Sequence, residues 1–296
     1  MKPAIELENL SKKFGKNKAV DNLSLQVPAG CIFGFLGPNG AGKTTTIKMM
    51  LGLMRPDGGQ GRVLGRDIVR ESEAIRRKTG YVAEIQEMYR YMTVQEIISF
   101  CKPFYTGWND RLAKKYLEFF QLPRGEKIKN LSKGMKTQLA LILAMAPEPE
   151  LLILDEPTSG LDTINRQEFL RIILEEIALQ GRTVFLSSHL LHDVERVADL
   201  VAIIKHGKLI DIRSIDELKT TVKKIRVVFQ KEVPAELFSR PGIRSYTREG
   251  SAYVVSVENN LQDILADFKK YPYFTFDIID QNLEEIFLEK VKGDKK

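Results

Sequence analysis

A glycine-rich loop ending in lysine and threonine is the segment of this 296-residue sequence whose residue types and spacing most directly indicate chemistry. Residues 37–44 read G-P-N-G-A-G-K-T and fit the pattern G-x-x-x-x-G-K-[ST]. The glycines permit positive φ, so successive backbone N–H groups can turn inward around phosphate oxygens. Lys43 supplies a charge toward the β- and γ-phosphates, and the Thr44 hydroxyl is a ligand for Mg²⁺. The loop therefore predicts a nucleotide-binding site.

Two adjacent carboxylates end an apolar run later in the chain. Residues 151–155, LLILD, predict a buried strand, and Glu156 follows it directly. Asp155 at the strand end is placed to hold Mg²⁺, directly or through water. Glu156 is placed beside it to accept a proton from an attacking water. A salt-bridged pair at a strand end is the alternative, and the phosphate loop favours the metal and base roles.

These side chains require elements that bring them together. The loop lies between an apolar strand, residues 31–36, and a helix predicted from Lys43 to about Met54. Strand and helix alternate again from Leu151, through a helix over 164–179 and the strand TVFLSS, to a hairpin around His206-Gly207. Such alternation predicts a parallel α/β sheet.

The middle of the chain has a different pattern, and residues 85–148 are predicted to be mostly helical. Thr93 and Glu96 form a capping box, with Thr93 as N-cap and Glu96 at N3. Residues 109–120 also have helical spacing. Before this segment, residues 61–82 predict several short strands.

The last quarter of the chain changes again. VKKIRVVFQ, SAYVVSVE and YFTFDII alternate like strands, with a helix predicted over 261–269. NLEEIFLEKV predicts a closing helix with Asn282 as N-cap and Glu285 at N3. We therefore predict two domains, residues 1–218 and a small α+β domain over 219–296.

Composition excludes several classes of protein. The net charge of +6 divides into +4 for residues 1–218 and +2 for 219–296, whereas a nucleic-acid binder normally shows a clustered basic stripe. The longest apolar run has eight residues, far below the roughly 18 that span a bilayer. No signal peptide is visible, and Cys31 and Cys101 fit no metal-binding spacing. We expect a cytoplasmic protein with reduced thiols and no nucleic-acid partner.

Four further segments resemble those of ATP-binding-cassette (ABC) ATPases. Residues 131–136, LSKGMK, resemble the family signature LSGGQ, and Ser159-Gly160-Leu161-Asp162 resembles the D-loop. His189 resembles the switch histidine, and Phe14 stands where the family has an aromatic residue that stacks on adenine. The matches cover about residues 1–215.

The resemblance implies an α/β fold: a P-loop NTPase of the ABC cassette type with an antiparallel β subdomain and a helical subdomain at about 85–148. A small C-terminal α+β domain follows the cassette. The closing NLEEIFLEKV resembles the end of ATPase subunits in the ABC-2-type group, which includes drug- and peptide-antibiotic-resistance transporters. ATP and Mg²⁺ are the implied cofactors, and ATP hydrolysis is the implied reaction.

Residue by residue, the resemblance assigns catalysis to Glu156 and His189 and metal binding to Thr44, Asp155 and Glu84. The residues implied in ATP binding are Phe14, Gly37, Pro38, Asn39, Gly40, Ala41, Gly42, Lys43, Thr44 and Thr45. The residues implied to contact the ATP of a second subunit are Ser132, Lys133, Gly134, Met135 and Asp162.

Two positions depart from the family pattern. Lys133 and Met135 replace a glycine and a glutamine of the signature; we expect a functional segment, with a degenerate, weakly active site as the alternative. Glu84 replaces the glutamine that reaches Mg²⁺ after the strand GYV, and Gln86 could serve only if the loop shifts register. We expect Glu84 to contact the metal, because a carboxylate is the better Mg²⁺ ligand. The alternative is that Glu84 points to solvent.

The resemblance also implies partners. ABC domains form head-to-tail dimers, so a second copy or a related ATPase chain would complete each ATP site. Separate transmembrane permease subunits would hold the dimer on the inner face of the cell membrane. The alternative is a soluble ABC ATPase that acts without a membrane partner.

Overall fold

The chain folds into two compact units, residues 1–212 and 213–296. In the computed structural model, the residues described are 2–217, 223–257 and 259–280. The boundary predicted after Leu218 therefore lies outside them. Among the helices in these ranges, none combines the length and the apolar composition that a membrane crossing requires. Cys31 and Cys101 are both free thiols, as expected.

Strands and helices of the first unit follow one another in a mixed α/β order. In chain order they are β1 (Ile5–Phe14), β2 (Asn17–Val27), β3 (Ile32–Leu36), α1 (Lys43–Met50), β4 (Gly58–Val63), β5 (Arg66–Asp67), α2 (Ser72–Lys78), β6 (Thr79–Val82), α3 (Val94–Cys101), α4 (Asp110–Phe119), α5 (Lys133–Met145), β7 (Leu151–Asp155), α6 (Thr163–Gln180), β8 (Thr183–Ser188), α7 (Leu191–Glu195), β9 (Leu200–Lys205) and β10 (Lys208–Ser214).

A six-stranded sheet with the order β10-β9-β3-β8-β7-β6 forms the centre of this unit. Its strands β6, β7, β8, β3 and β9 pair in parallel, which confirms the predicted parallel sheet. Strand β3 and strand β7 are buried along their whole length, as expected for a sheet covered on both faces. Because the strands are parallel, their carboxyl ends meet at one edge, where Asp155 pairs with Ser187 and Leu36 pairs with Ser188.

A second, antiparallel sheet with the order β2-β1-β4-β5 packs onto the first. One hydrophobic core joins both sheets and helix α1, with Leu7, Phe35 and Ile47 among its fully buried members. The shared core fixes the phosphate loop, which connects β3 to α1, between two rigid layers.

The segment predicted to be helical contains α3, α4 and α5. The capping box is confirmed: the Glu96 backbone N–H donates to Thr93 Oγ1 at 3.2 Å, and the Thr93 N–H donates to a Glu96 carboxylate oxygen at 2.7 Å. Asn109 caps α4 and Ser132 caps α5 through their side-chain oxygens.

Helix α2 was not predicted; the sequence had indicated only short strands over residues 61–82. Its seven residues bury a single apolar side chain, Ile75, so no helical periodicity is visible. Helix α1 is also shorter than predicted and ends at Met50, where Gly52 adopts a positive φ of 64°.

The described part of the second unit is an α+β fold. Its elements are β11 (Lys223–Phe229), β12 (Ile243–Glu249), β13 (Ala252–Val257), α8 (Leu261–Phe268) and β14 (Tyr273–Asp280). They form an antiparallel sheet of order β12-β13-β11-β14 with a core of its own. Strand β12 was not predicted, because six of its seven residues are exposed and show no apolar alternation. The predicted closing helix at Asn282 and Glu285 lies outside the described residues.

Candidate functional site

The phosphate loop turns tightly between β3 and α1. Gly40 and Gly42 have positive φ values of 78° and 105°, which glycine adopts without a steric penalty. A Cβ at Gly42 would lie 2.3 Å from the Ala19 carbonyl oxygen, and one at Gly37 would lie 2.4 Å from the Ile204 carbonyl oxygen. Two of the glycines are therefore required by close backbone packing, besides the freedom they give the loop.

The other loop residues form the turn and the start of the helix. The Ala41 N–H donates to the Pro38 carbonyl at 3.1 Å, and this turn leaves Asn39 exposed together with Gly40. Thr44 and Thr45 are half-buried in the first turn of α1. A helix N-terminus presents unpaired backbone N–H groups and a positive dipole end, so this arrangement suits a phosphate.

The Lys43 ammonium is buried at the base of this loop. Its Nζ donates to the Gly37 carbonyl at 2.6 Å and to the Pro38 carbonyl at 3.3 Å. It also lies 3.0 Å from Glu156 Oε1, and both side chains are only 6% exposed. A buried charge needs such partners, because isolated ions are costly to remove from water.

Glu156 links this lysine to His189. The Glu156 carboxylate contacts His189 Nδ1 at 2.7 Å through its second oxygen, Oε2. The pair forms because β7 and β8 are neighbouring parallel strands, so the residues just beyond their ends meet at one edge. The structure thus places Lys43, Glu156 and His189 in one connected cluster.

Asp155 lies beside that cluster with one oxygen bound and one unbound. Its Oδ1 accepts a 2.6 Å hydrogen bond from Ser187 Oγ, whereas Oδ2 is buried and has no hydrogen-bond partner among the described residues. Burial raises the pKa of Asp155, and the neighbouring Ser187 and Thr44 hydroxyls oppose that rise. An unpartnered buried carboxylate oxygen next to a threonine hydroxyl fits a hard divalent cation such as Mg²⁺.

The signature-like segment begins helix α5. Ser132 Oγ accepts a hydrogen bond from the Met135 N–H at 3.1 Å, which caps the helix. Lys133 is exposed, and its Nζ lies 2.7 Å from where a Cβ on Gly160 would stand. The same construction at Gly134 places a Cβ 3.4 Å from Leu161 Cδ2. Within the part of the chain that the structure describes, no hydrogen bond or ion pair joins Ser132 or Lys133 to the phosphate loop.

Known proteins share these features. Residues 20–159 match the ABC transporter family, and residues 214–291 match the family described as ATP-binding protein DrrA1-3-like, C-terminal domain. The bacitracin transport ATP-binding protein BcrA of Bacillus licheniformis is 38% identical over 226 residues, 76% of this chain and 74% of that protein. The protein of the same name from Enterococcus faecalis is 32% identical and covers 99% of this chain, with 98% of its own length aligned.

A solved ATP-binding subunit of an ABC transporter matches the fold with a TM-score of 0.66 and 28% identity, over 73% of this chain and 92% of that one. The chain belongs to the family of ABC transporter ATP-binding proteins. Its nucleotide is therefore ATP, and the protein is an ATPase that serves as a transporter subunit. The predicted ABC cassette fold is confirmed by the same match.

The structure adds contacts of the ABC cassette that sequence reasoning missed. Ser187 Oγ donates to Asp155 and also accepts the Glu156 backbone N–H at 3.1 Å, so one hydroxyl orients both carboxylate residues. Its position two residues before His189, in a strand next to Asp155, was the signal that could have revealed it.

Asp162 caps helix α6 from the D-loop. It accepts the N–H groups of Ile164 and Asn165 at 3.0 Å each, and hydrogen bonds from Asn165 lower the pKa of its carboxyl group. Asn165 in turn accepts from Gln138 Nε2 at 2.9 Å, which connects the D-loop to helix α5.

The remaining predicted contacts lie at the surface. Phe14 ends β1, is 49% exposed, and has the Lys12 ammonium 5.9 Å from its ring centre. Glu84 is exposed just after β6, while half-buried Gln86 donates to the Ala83 carbonyl. Burial raises the pKa of Tyr81, and the negative charges of Asp155 and Glu84 add to that rise.

Proposed function

We propose that this protein hydrolyses ATP at the loop Gly37–Thr45 and that two such chains close head to tail around two ATP molecules to drive a separate transmembrane permease. The observation that carries the proposal is the cluster of buried Lys43, buried Glu156 and half-buried His189, with contacts of 3.0 and 2.7 Å. It supports the proposal because a lysine suited to phosphate, a candidate base and a polar partner for that base lie together at the carboxyl edge of one sheet.

The Lys43–Glu156 contact suggests how ATP binding prepares the base. The β- and γ-phosphates offer Lys43 a stronger partner than one carboxylate, because charge-assisted bonds to phosphate strengthen with the anionic charge. As Lys43 turns to the phosphates, Glu156 loses its cation and becomes free to accept a proton from water. The contact between His189 Nδ1 and Glu156 Oε2 remains while Lys43 moves to the phosphates, and it keeps the carboxylate oriented.

We propose Thr44, Asp155 and Glu84 as the residues that hold Mg²⁺. When bound, the ion would neutralise phosphate charge and orient the phosphate oxygens. Asp155 Oδ2 supports this role because it is buried and unpartnered, and Thr44 lies next to it. Glu84 is the third candidate, since it lies two residues beyond the end of β6, the strand that pairs in parallel with β7, which ends in Asp155.

The signature segment is proposed to bind the ATP held by the other chain. Ser132 and the first turn of the 13-residue helix α5 offer backbone N–H groups, and exposed Lys133 adds a positive charge. Gly134 and Met135 complete the segment, and Asp162 would link the two ATP sites. The absence of polar contacts from Ser132 or Lys133 to the phosphate loop within the described chain supports a ligand supplied by a second molecule.

A cluster of aromatic side chains supports a permease partner. Tyr89, Tyr91, Phe100 and Phe104 are 41–68% exposed and contact one another with ring centres 5.4–5.8 Å apart. Exposed apolar clusters of this kind mark protein or membrane interaction sites. They belong to the segment containing α3, which we propose rests on cytoplasmic helices of the permease, so that the protein lies on the inner face of the membrane.

Phe14 is proposed to stack on the adenine ring, since its side chain is exposed at the end of β1. The relatives named for bacitracin transport support a place among the ABC-2-type transporters for peptide antibiotics and drugs. The transported molecule would contact the permease.

Light scattering on a double variant tests the head-to-tail arrangement. Glu156→Gln should retain ATP and accumulate the ATP-bound dimer, and Ser132→Arg in that background should abolish the dimer by placing bulk against the opposite phosphates. Glu118→Arg, at an exposed position of α4, is the matched control and should leave the dimer intact. Unchanged dimerisation of the Ser132→Arg variant would count against the arrangement, and failure to co-purify with a multi-span protein would favour the soluble alternative.

A further inference from the structure

Asp193 is a buried carboxylate that the proposed reaction does not use. It lies in helix α7 with a side chain 1% exposed, and its Oδ2 accepts a 2.6 Å hydrogen bond from Thr158 Oγ1. Arg166 Nε lies 3.8 Å from the same oxygen. Asp193 Oδ1 and Arg166 Nε are both buried without a hydrogen-bond partner among the described residues.

This arrangement is costly as packing alone. A buried carboxylate is destabilising unless it is paired and fully hydrogen-bonded, and apolar residues of similar volume often replace such groups without loss of stability. Here the Asp193 carboxylate has one hydrogen bond, from the Thr158 hydroxyl, and one guanidinium, that of Arg166, at 3.8 Å. A carboxylate retained under those conditions points to a role other than stability.

The three side chains belong to the three segments that carry the proposed chemistry. Thr158 follows Glu156 by two residues, and Asp193 follows His189 by four. Arg166 follows Asp162 by four residues, one turn into helix α6. Asp193 therefore joins the segment of the candidate base to the segment of its histidine partner.

The backbone conformation of Glu156 explains why the turn needs the Thr158–Asp193 hydrogen bond. Glu156 has a φ of 48°, a left-handed conformation that is unfavourable for a residue with a side chain and persists only where its surroundings hold it. On one side, the Glu156 N–H donates to the Ser187 side chain and backbone oxygens at 3.1 and 3.2 Å. On the other side, the turn closes with the Ser159 N–H on the Glu156 carbonyl and the Leu161 N–H on the Thr158 carbonyl, each at 3.1 Å. The Thr158 hydroxyl donates to Asp193, which ties this turn to helix α7.

We infer that Asp193 is a positioning residue for ATP hydrolysis: through Thr158 it fixes the turn after Glu156, so that the Glu156 carboxylate keeps its 2.7 Å contact with His189. The inference rests on the proposed role of Glu156 as the base. It assigns Asp193 no contact with ATP, and the phosphate loop keeps its own contacts when the turn loosens. Loss of the Thr158–Asp193 bond therefore lowers the rate of hydrolysis and leaves ATP binding intact.

Paired variants of the full-length protein test this role. Thr158→Val keeps the shape but removes the donor, and it should lower kcat by roughly 10- to 100-fold, the range expected when a buried polar group loses its partner. KM for ATP should stay within about twofold, since loop contacts are untouched. Thr158→Ser restores the hydroxyl and should restore kcat. Asp193→Asn keeps an acceptor without charge and should reduce kcat by less than about tenfold.

The double variant Thr158→Val/Asp193→Leu separates positioning from stability. Removing both members of the hydrogen bond leaves neither Thr158 nor Asp193 with an unpaired polar group, and the Arg166 side chain is 31% exposed to water, so the melting temperature should recover part of the loss seen in Thr158→Val. A positioning role predicts that kcat of the double variant stays low even though its stability partly recovers. A merely structural role predicts that kcat recovers together with the melting temperature. Recovery of kcat, or Thr158→Val turnover within twofold of wild type, would overturn the inference.

The proposed function fails in a distinguishable way. If Glu156→Gln still hydrolyses ATP at the wild-type rate, Glu156 is not the base and the premise is lost. If Glu156→Gln is inactive while Thr158→Val and Asp193→Asn are both fully active, the proposed function stands and only the role of Asp193 is rejected. Asp193→Asn keeps the test informative should Thr158→Val not fold, because a kcat loss that Thr158→Ser does not share must come from the charge at Asp193.

Discussion

Two regions of the proposed ATP site differ in how far a single chain completes them. Lys43, Glu156 and His189 form a connected cluster at the sheet edge, in which the Lys43 and Glu156 side chains are 6% exposed. The signature segment that starts at Ser132 is largely accessible at the start of α5, and its polar contacts run to its own helix. The first region is preorganised within the chain, whereas the second is a capped helix start that we propose receives its ligand from a second molecule.

The difference follows from what each environment costs. Charges in the interior must be paired, so each member of the buried cluster has its position fixed by the others. Exposed Lys133 is hydrated, and its exact position is not set by such pairing. This contrast explains why the loop and carboxylate motifs match the family pattern closely while the signature tolerates Lys133 and Met135. It also predicts that single-atom changes are severe in the first region and mild in the second.

The largest effect is expected from Glu156→Gln, which breaks the preorganised region. The amide keeps the size of the side chain but cannot accept a proton, so turnover should fall by about 10²–10⁴-fold. ATP binding should persist, because Lys43 and the loop remain. Steady-state phosphate release and equilibrium ATP binding measure the two quantities on one preparation.

Glu150→Gln is the matched control for that change. Glu150 precedes β7 and forms a surface ion pair with Lys78, so the same substitution there should leave turnover within about twofold. Turnover of Glu156→Gln close to that of Glu150→Gln would remove Glu156 from the role of base.

The second effect in size concerns Glu84, an exposed residue just after β6. Glu84→Ala should lose much of the activity, whereas Glu84→Gln should stay active with a flatter Mg²⁺ dependence, since an amide oxygen is a weaker ligand than a carboxylate. An Mg²⁺ titration of ATP turnover, paired with ATP binding at low and high Mg²⁺, measures the difference.

Gln86→Ala serves as the control for the register of this loop. The Gln86 side-chain amide donates a hydrogen bond to the Ala83 carbonyl, so Gln86→Ala should lower ATP turnover only slightly. A damaging Gln86→Ala together with a silent Glu84→Ala would show that Gln86, two residues later, takes the position assigned to Glu84.

The sequence predicted those parts of the fold and site whose signal is local. The loop between β3 and α1, the apolar strand β7 and the capping box at Thr93 each depend on neighbouring residues, and the structure shows all three elements. Helix α2 and strand β12 were missed because most of their residues are exposed and no apolar period marks them. The periodic spacing of apolar residues, rather than the helix or strand propensity of single residues, is the main signal by which a sequence reveals a helix or strand.

The missed contacts of the site are those that depend on tertiary pairing. Ser187 and Asp155 are 32 residues apart and meet only because β7 and β8 are neighbours in the sheet. Thr158 and Asp193 are 35 residues apart and meet through the same arrangement. A motif fixes which residues lie near the phosphates, but the partners that orient them become visible only once strand order is known.

A smaller effect is expected from Lys133→Gln, which tests the accessible signature segment. The change removes the charge at the signature, so the ATP-driven dimer of the Glu156→Gln background should weaken by about two- to fivefold, the range of an exposed ion pair. ATP binding by the separate chain should not change. Sedimentation velocity at several protein concentrations measures the dimer constant, and Lys136→Gln, one turn further along α5, is the control.

The smallest effect on the ATP site is expected from removing the second unit. The site residues all lie within residues 1–212, and each unit has a hydrophobic core of its own, with Phe35 in the first and Phe268 in the second. A chain ending at Leu218 should therefore fold and bind ATP within about twofold of the full chain, a free-energy difference of about 0.4 kcal/mol. Circular dichroism and equilibrium ATP binding test the two parts separately. A folded fragment that binds no ATP would show that the second unit helps to form the site. The cluster of Lys43, Glu156 and His189 would then not be self-sufficient within residues 1–212, and the comparison with the signature segment would have to include the second unit.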